Sequence, residues 1–214
     1  KTTDTTIIWT IPEEIYDLIP DDNRITIRLL LTTFNAEGTT QIGNIYGEES
    51  GIIAKVNSEL YKPEVSYTIT ETNEKVISVT DNLVINASKP KFNITATAKK
   101  GASIGSIVVS NKDGQSYSGN EVTFKEIGTS KFEIVVTDSR GIPNIIPLDL
   151  TTQDIDYIKP NIKKIEANRE TPTSGNVILN ANGDFYNGQF SSETGNNILD
   201  ISNSDVYLPV NENM

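Results

Sequence analysis

Apolar and polar residues alternate along most of this sequence, and this period of two limits its fold more than any other feature. In the segment FNITATA, Phe92, Ile94 and Ala96 share one face, while the Asn and Thr residues between them share the other. The same pattern occurs in three further segments: RITIRLLLTTF, EVTF and KFEIVV. Thr, Val and Ile dominate these segments, as is typical of half-buried antiparallel strands. The pattern therefore predicts an all-β fold.

Clusters of Gly, Asn, Asp and Ser separate the predicted strands, and such residues favour turns. The clusters are NAEG, NKDG, SYSGN, DSRG and NANGDFYNG. Strands therefore recur about every 8 to 12 residues, which is the spacing of an immunoglobulin-like or fibronectin-III-like β-sandwich. At most one short helix is expected, near residues 12–19, because Pro12 can begin a helix and Glu13 and Glu14 suit its first turn.

An internal repeat divides the chain. Residues 60–70 read LYKPEVSYTIT and residues 157–167 read YIKPNIKKIEA, so each has Tyr and Lys just before a Pro that opens an extended run. Pro63 and Pro160 are 97 positions apart, close to the roughly 100 residues of one immunoglobulin-like sandwich. The repeat predicts three tandem modules: an N-terminal β module at 1–60, an immunoglobulin-like sandwich at 61–156, and a C-terminal β module at 157–214 that is expected to be incomplete.

The charge balance limits the partners of the chain. Acidic residues outnumber basic residues by 29 to 18, which gives a formal net charge of -11. Phosphate backbones and anionic lipid surfaces both attract Lys and Arg clusters, so we expect neither nucleic acid nor a membrane as partner. No apolar run approaches the roughly 20 residues that a membrane-spanning helix requires.

The sequence contains no Cys and no His. A thiol nucleophile, a Ser-His-Asp triad and a zinc site of the usual kind are therefore excluded. No other motif indicates a reaction, so we predict a non-enzymatic protein without a cofactor. Among metals, only those that prefer oxygen ligands, such as calcium, remain compatible with the composition.

Two carboxylates are the candidates for such a metal. Asp154 and Asp156 flank Ile155 just before the second Pro junction, and residues two apart in a strand lie on one face. They are therefore candidate calcium ligands between modules. The alternative, which we favour, is a solvent-facing pair on the last strand of the second module.

An aromatic segment is the candidate for ligand binding. In NGDFYNGQF, Phe185, Tyr186 and Phe190 lie between glycines and beside Asn and Asp. Exposed aromatic side chains in such a segment, Phe185 and Tyr186 above all, are candidates for a sugar-binding platform. The alternative, which we favour, is a hairpin whose Phe side chains are in the core and whose two Gly residues have positive φ.

The segment EIVVTDSRGIPNIIPLDL carries the most compact charged stretch of the chain, Asp138-Ser139-Arg140-Gly141. Alternating apolar residues on both sides predict a hairpin turn, with Gly141 at positive φ and the Asp138 side chain bonded to the turn backbone. Because the chain has no His or Cys, Ser139 has no base to activate it. We expect Arg140 to be exposed, so that its replacement by Ala changes stability by less than about 0.5 kcal/mol.

Several motifs, taken in order, resemble a known family. They are IIWTIP with Trp9, VVTDSRG, DYIKPNI, and NRETPTSGNVILNANGDFYNG. Together they resemble minor structural proteins of siphophage tails, which are tail-tip, baseplate or fibre proteins built from tandem immunoglobulin-like domains.

The resemblance implies a non-enzymatic virion component that supports host attachment, located in the phage tail. It implies other tail proteins as partners, assembly as a homo-oligomer, and weak binding to host cell-wall polysaccharide. Two alternatives remain open. One is a bacterial cell-surface adhesin or stalk built from immunoglobulin-like repeats, and the other is an accessory domain of a carbohydrate-active enzyme.

Overall fold

Strands make up most of the regular structure in the computed structural model of this chain, which describes residues 8, 10–28, 30–47, 52–169, 171–173, 175 and 177–191. The strands are β1 (Arg24–Ile27), β2 (Leu30–Phe34), β3 (Gln41–Gly47), β4 (Ile52–Lys55), β5 (Glu64–Glu71), β6 (Leu83–Val84), β7 (Pro90–Thr97), β8 (Ile104–Asn111), β9 (Ser116–Ser118), β10 (Glu121–Thr123), β11 (Lys131–Asp138), β12 (Pro143–Asp149), β13 (Asp154–Ile155), β14 (Asn161–Arg169) and β15 (Val177–Asp184). They form several small sheets, which confirms the predicted all-β class. Trp9 lies outside the described residues.

The expectation of at most one short helix is wrong. A 3₁₀ helix forms inside the predicted region, and three other short helices follow. In order, these helices are Glu13–Leu18, α1 (Ser58–Tyr61), α2 (Glu74–Ile77) and a 3₁₀ helix at Thr151–Gln153. Asn57 and Asn73 cap α1 and α2, because the side-chain oxygen of Asn57 accepts hydrogen bonds from two N–H groups of the first turn and that of Asn73 accepts one, from Lys75. Helices of one turn are too short for a period of 3.6 to show in the sequence.

The chain divides into two compact units. Unit 1 comprises Lys1–Thr70, Lys91–Phe124 and Lys131–Asp149, and unit 2 comprises Glu71–Pro90, Lys125–Ser130 and Leu150–Met214. Each unit is therefore assembled from segments that are separate in sequence. The division into three modules with limits at 60 and 156 stays a prediction.

Two larger sheets dominate unit 1. One has three strands in the order β10-β7-β5, and the other has four in the order β12-β11-β8-β9. Antiparallel pairing places Phe92 opposite Val122 in the first sheet and Phe132 opposite Leu148 in the second. Buried and more exposed residues alternate along much of β7 and β11, so the predicted faces of these strands are confirmed.

Aromatic rings form the centre of unit 1. Phe92 from the three-stranded sheet and Phe132 from the four-stranded sheet have ring centroids 5.0 Å apart. Phe124 lies 5.5 Å from Phe92 and 5.2 Å from Phe132, and Tyr117 packs against Phe124 at 5.0 Å. Tilted and edge-on contacts of this kind add to the free energy gained by burying the rings.

The run RITIRLLLTTF does not form one strand. β1 ends at Ile27 and pairs with β4, whereas β2 begins at Leu30 and pairs with β3.

A separate apolar cluster lies in the same unit, where the Tyr16 and Tyr61 rings are 5.1 Å apart and Ile142 is buried with them. The 3₁₀ helix that carries Tyr16 thus buries its one well-covered side chain against residues far away in sequence.

Among its described residues, unit 2 contains two small sheets. β6 and β13 form a short parallel pair, and β14 and β15 form an antiparallel ribbon.

Pro63 and Pro160 immediately precede β5 and β14, so each opens a strand as the repeat predicted. The two prolines differ in environment, since Pro63 is fully buried and Pro160 is exposed.

The charged stretch at Asp138 forms the predicted turn. β11 ends at Asp138, β12 begins at Pro143, and Gly141 has φ of 78°. The Asp138 Oδ1 atom accepts hydrogen bonds from the backbone N–H groups of Arg140 at 3.0 Å and Ile142 at 2.8 Å. The turn and its Asp hydrogen bonds are therefore confirmed.

The expected exposure of Arg140 is wrong. Asp138 and Arg140 are only 3% and 4% exposed, and Arg140 Nε lies 3.0 Å from Asp138 Oδ2. Arg140 Nη2 also donates to the Lys99 carbonyl at 2.7 Å. The neighbouring Ser139 hydroxyl donates to the Pro20 carbonyl at 2.6 Å. These partners are remote in sequence, so the local pattern that identified the turn gave no sign that other segments cover it.

Replacement of Arg140 by Ala is therefore expected to be strongly destabilising. It leaves the Asp138 carboxylate buried without its cation, and breaking a buried pair in this way costs about 3 to 5 kcal/mol. Gly141→Ala is the control within the same turn, because a Cβ there meets no atom and only the positive φ costs about 1 to 2 kcal/mol. Urea unfolding gives both values, and an equal or smaller loss for Arg140→Ala would contradict the buried pair.

Candidate functional site

A cavity of about 490 Å³ lies within unit 2, beside α2. Its size falls in the range of small-molecule sites, about 300 to 1,000 Å³. Val76, Val79 and Val84 form an apolar floor, and Tyr157 and Phe190 are the aromatic residues that line it. We call it the α2 cavity.

The floor is fixed by short-range structure. Val76 and Val84 are 4% and 1% exposed. The Val84 N–H donates to the Ser88 hydroxyl at 2.6 Å, and Ser88 is itself fully buried. Asn73 caps α2 through its side-chain oxygen and donates from its amide nitrogen to the Ala87 carbonyl at 2.8 Å. These bonds hold α2 against the β6 segment and so keep the valines in place.

The aromatic residues come from two segments. Tyr157 follows β13, whereas Tyr186 and Phe190 follow β15. The Tyr157 ring centroid is 5.8 Å from both other rings, and Tyr186 and Phe190 are 5.3 Å apart. A Cβ at Gly188 would overlap the hydroxyl end of the Tyr186 ring, so any other residue there would displace this side chain.

Asn86 lies on the rim in an unusual backbone conformation. Its φ is 66°, in the left-handed region that Asn tolerates better than most residues. Its N–H donates to the Ile127 carbonyl at 2.7 Å, and its side-chain nitrogen donates to the Tyr157 carbonyl at 3.0 Å. Asn86 therefore links Tyr157, an aromatic residue of the cavity wall, to the rim of the cavity.

A charged pair completes the rim. Lys159 and Glu126 form an ion pair and both side chains are about half exposed. The hydrogen bond from Lys159 holds the pKa of the Glu126 carboxyl below its ordinary value, and the charge of Lys159 adds to the effect. The two side chains carry opposite charges, and Lys75 is the other charged residue among those that line the cavity.

The structure separates the two aromatic candidates. Phe185 is 38% exposed, whereas Tyr186 is half-buried and its hydroxyl donates to the Gln189 carbonyl at 3.1 Å. Neither side chain lines the α2 cavity, but Tyr186 supports the two residues that do. The alternative of a hairpin with a buried Phe185 is wrong, because the segment follows β15 and leaves Phe185 at the surface.

The expected positive φ at the two glycines of this segment is also wrong. Neither Gly183 nor Gly188 has positive φ. At Gly183 a side chain would overlap the Asn161 carbonyl across the ribbon, where the register shifts. Gly183 therefore requires glycine because the opposite backbone lies too close, and not because of backbone conformation.

The calcium candidates are not brought together by one strand. β13 ends at Ile155, so only Asp154 belongs to it. Asp154 is half-buried and its Oδ2 atom accepts a hydrogen bond from the Ser130 hydroxyl, while Asp156 is exposed. In the described part of the chain, no group of three or more carboxylates is placed to hold a metal ion.

Sequence reasoning missed most of this site. Tyr157 was noticed only as a member of the Pro junction repeat, and no pattern in the sequence placed Asn86 at a cavity. The pattern VISVTDNLV around the floor shows no clear period, because its valines lie on a one-turn helix, the loop after it and a two-residue strand. The aromatic segment was the one signal in the sequence that pointed to this region.

Comparisons with protein-family models, with curated proteins and with solved structures give no match to this chain. Among the described residues, no helix is long and apolar enough to cross a membrane. The assignment of a function therefore depends on the fold and on the geometry of unit 2.

The pKa of Glu126 provides a test of the rim. Replacing Lys159 by Met removes the hydrogen bond and the charge, so the pKa of Glu126 should rise towards its ordinary value. A lowered folded-state pKa means that the pair stabilises the fold above the ordinary carboxyl pKa and that this contribution is lost as the pH falls through the lowered value. NMR titration of the carboxyl carbon measures the shift. Lys163→Met, which removes the partner of Asp184 instead, should leave Glu126 unchanged.

Calcium is expected to have no effect on stability. Two carboxylates, one of them bonded to Ser130, do not supply the six to eight oxygens that calcium prefers. Adding calcium to about 1 mM, a concentration that fills typical extracellular sites, should leave the melting temperature unchanged in scanning fluorimetry. A rise that calcium causes, magnesium does not, and Asp154→Asn abolishes would show that the site exists.

Proposed function

We propose that this chain is a non-enzymatic component of a phage virion, a tail-tip, baseplate or fibre module that supports attachment to the host. Its partners in this proposal are other tail proteins and further copies of itself, together with the polysaccharide of the host cell wall. The support comes from the sequence resemblance, from the arrangement of the strands and, above all, from an exposed apolar face on the β14–β15 ribbon.

The strand order of unit 1 supports the module type. The chain passes between the two larger sheets after β7, after β9 and after β10, which is typical of Greek-key sandwiches. We assign β5 and β7–β12 to an immunoglobulin-like sandwich of the fibronectin-III-like kind. The assignment is supported by β9, which pairs with β8 and not with β10.

The main support for the proposal comes from the β14–β15 ribbon. Its register places Ile165 opposite Ala181 and Leu179 opposite Ala167, all on one face. Ile165 and Leu179 are 62% and 56% exposed. The opposite face is mostly polar, with Glu166 opposite Asn180 and with Ile178 as its apolar residue.

An isolated two-stranded ribbon is at best marginally stable in water, and an exposed apolar face favours a protein partner. A chain whose regular structure includes such a face is suited to assembly. This explains why we favour a structural component of a larger particle over a protein that acts alone.

Self-association provides a test of the ribbon. The double variant Ile165→Thr/Leu179→Thr keeps strand-forming residues but removes apolar area from the exposed face, so the chain should shift towards monomer. Size-exclusion chromatography with light scattering at about 0.1 mM, where even weak self-association is visible, measures the mass. Asn168→Thr/Asn180→Thr on the opposite face is the matched control and should behave as the unmodified chain. An unmodified chain that is fully monomeric would exclude a homo-oligomer.

The virion role itself is tested by electron microscopy. Antibody raised against this chain should label purified phage particles at the tail end. Labelling of uninfected bacterial cell walls, with none on particles, would instead favour the surface adhesin or stalk.

A further inference from the structure

Tyr157 and Phe190 supply the aromatic part of the wall of the α2 cavity. Both residues are half-buried and line the cavity together with the valines of its apolar floor. Their mutual contact and the support of Tyr186 fix the ring orientations before any ligand arrives. Rings held in this way lose little conformational entropy on binding. A ligand with a flat apolar face can stack on such a ring. The ring of a pyranose sugar has such a face, formed by its C–H groups.

The floor distinguishes between kinds of sugar. Val76 and Val84 are buried and Val79 is half-buried, so the bottom of the cavity is apolar. A sugar that carries only hydroxyl groups would lose hydrogen bonds to water here without replacement. An acetamido substituent avoids this cost, because its methyl group can contact the valines.

The rim offers partners for the amide of that substituent. The hydrogen bond from Asn86 to Tyr157 uses only the side-chain nitrogen, and Asn86 is exposed at the rim. Its side-chain oxygen can accept a hydrogen bond from an amide N–H. Lys159 is paired with Glu126, which offsets its charge, and Lys75 is a further charged residue that lines the cavity.

From these three features we infer that the α2 cavity binds a saccharide containing an N-acetylated amino sugar. The sugar ring stacks on Phe190 or Tyr157, the acetyl methyl group contacts the valine floor, and the amide bonds to Asn86. This inference deepens the proposed attachment role, and it rests on that role only for the source of the sugar.

Two soluble oligosaccharides test the inference. Chitotetraose and cellotetraose have the same linkage and backbone, but only chitotetraose carries acetamido groups. In NMR amide spectra of the full chain, chitotetraose should shift the signals of Val79 and Asn86 and bind at least about tenfold more tightly than cellotetraose. Equal binding of the two sugars would overturn the inference, as would the absence of shifts with chitotetraose up to about 10 mM.

Matched variants locate the binding. Phe190→Ala should weaken chitotetraose binding at least about tenfold, whereas Phe185→Ala, outside the cavity, should not. Asn86→Gly keeps a residue that adopts positive φ and should also weaken binding, and the amide spectra report whether each variant is folded. Undiminished binding by both Phe190→Ala and Asn86→Gly would overturn the inference. Loss of saccharide binding would leave antibody labelling of virions unaffected, so the two proposals fail separately.

Discussion

The contact between the Phe92 and Phe132 rings is the interaction on which unit 1 depends. Each ring belongs to a different sheet, their centroids are 5.0 Å apart, and Phe124 completes the cluster. Neither sheet has more than four strands, and a small sheet needs a second layer to bury its apolar face. The ring cluster supplies that layer to both sheets at once. The ribbon of unit 2 shows the opposite condition, since Ile165 and Leu179 have no such cover and remain exposed.

Charge serves different purposes in the core and at the surface. The chain is strongly acidic, and most of its ion pairs lie at the surface, where such pairs contribute little to stability. The Asp138–Arg140 pair is different, because both side chains are fully covered and bond to backbone groups as well as to each other. Buried pairs of this kind rarely add stability compared with apolar residues, but they penalise every arrangement that separates the two charges. The pair thereby specifies how the 138–142 turn meets the Lys99 segment.

The sequence was sufficient for features that depend on neighbouring residues. Alternation identified the buried faces of β7 and β11, and the residue types around Gly141 identified the turn and its positive φ. Features that depend on distant segments were missed. Arg140 is buried because Lys99 lies against it, and the α2 cavity exists because Tyr157 and Phe190 meet. The Asn residues that cap α1 and α2 lie next to these helices in sequence, but the two helices were missed because a single turn is too short to show a period of 3.6.

We expect that the ribbon, unlike the sheets of unit 1, requires a partner to be stable. Amide hydrogen exchange of the isolated chain as a function of protein concentration tests this directly, since protection reports the free energy of local opening. Strong protection of β7 and β11 is expected at all concentrations, together with weak protection of β14 and β15 that increases as the chain associates. Equal protection of the ribbon and of β11 in a dilute, monomeric sample would show that the ribbon needs no partner.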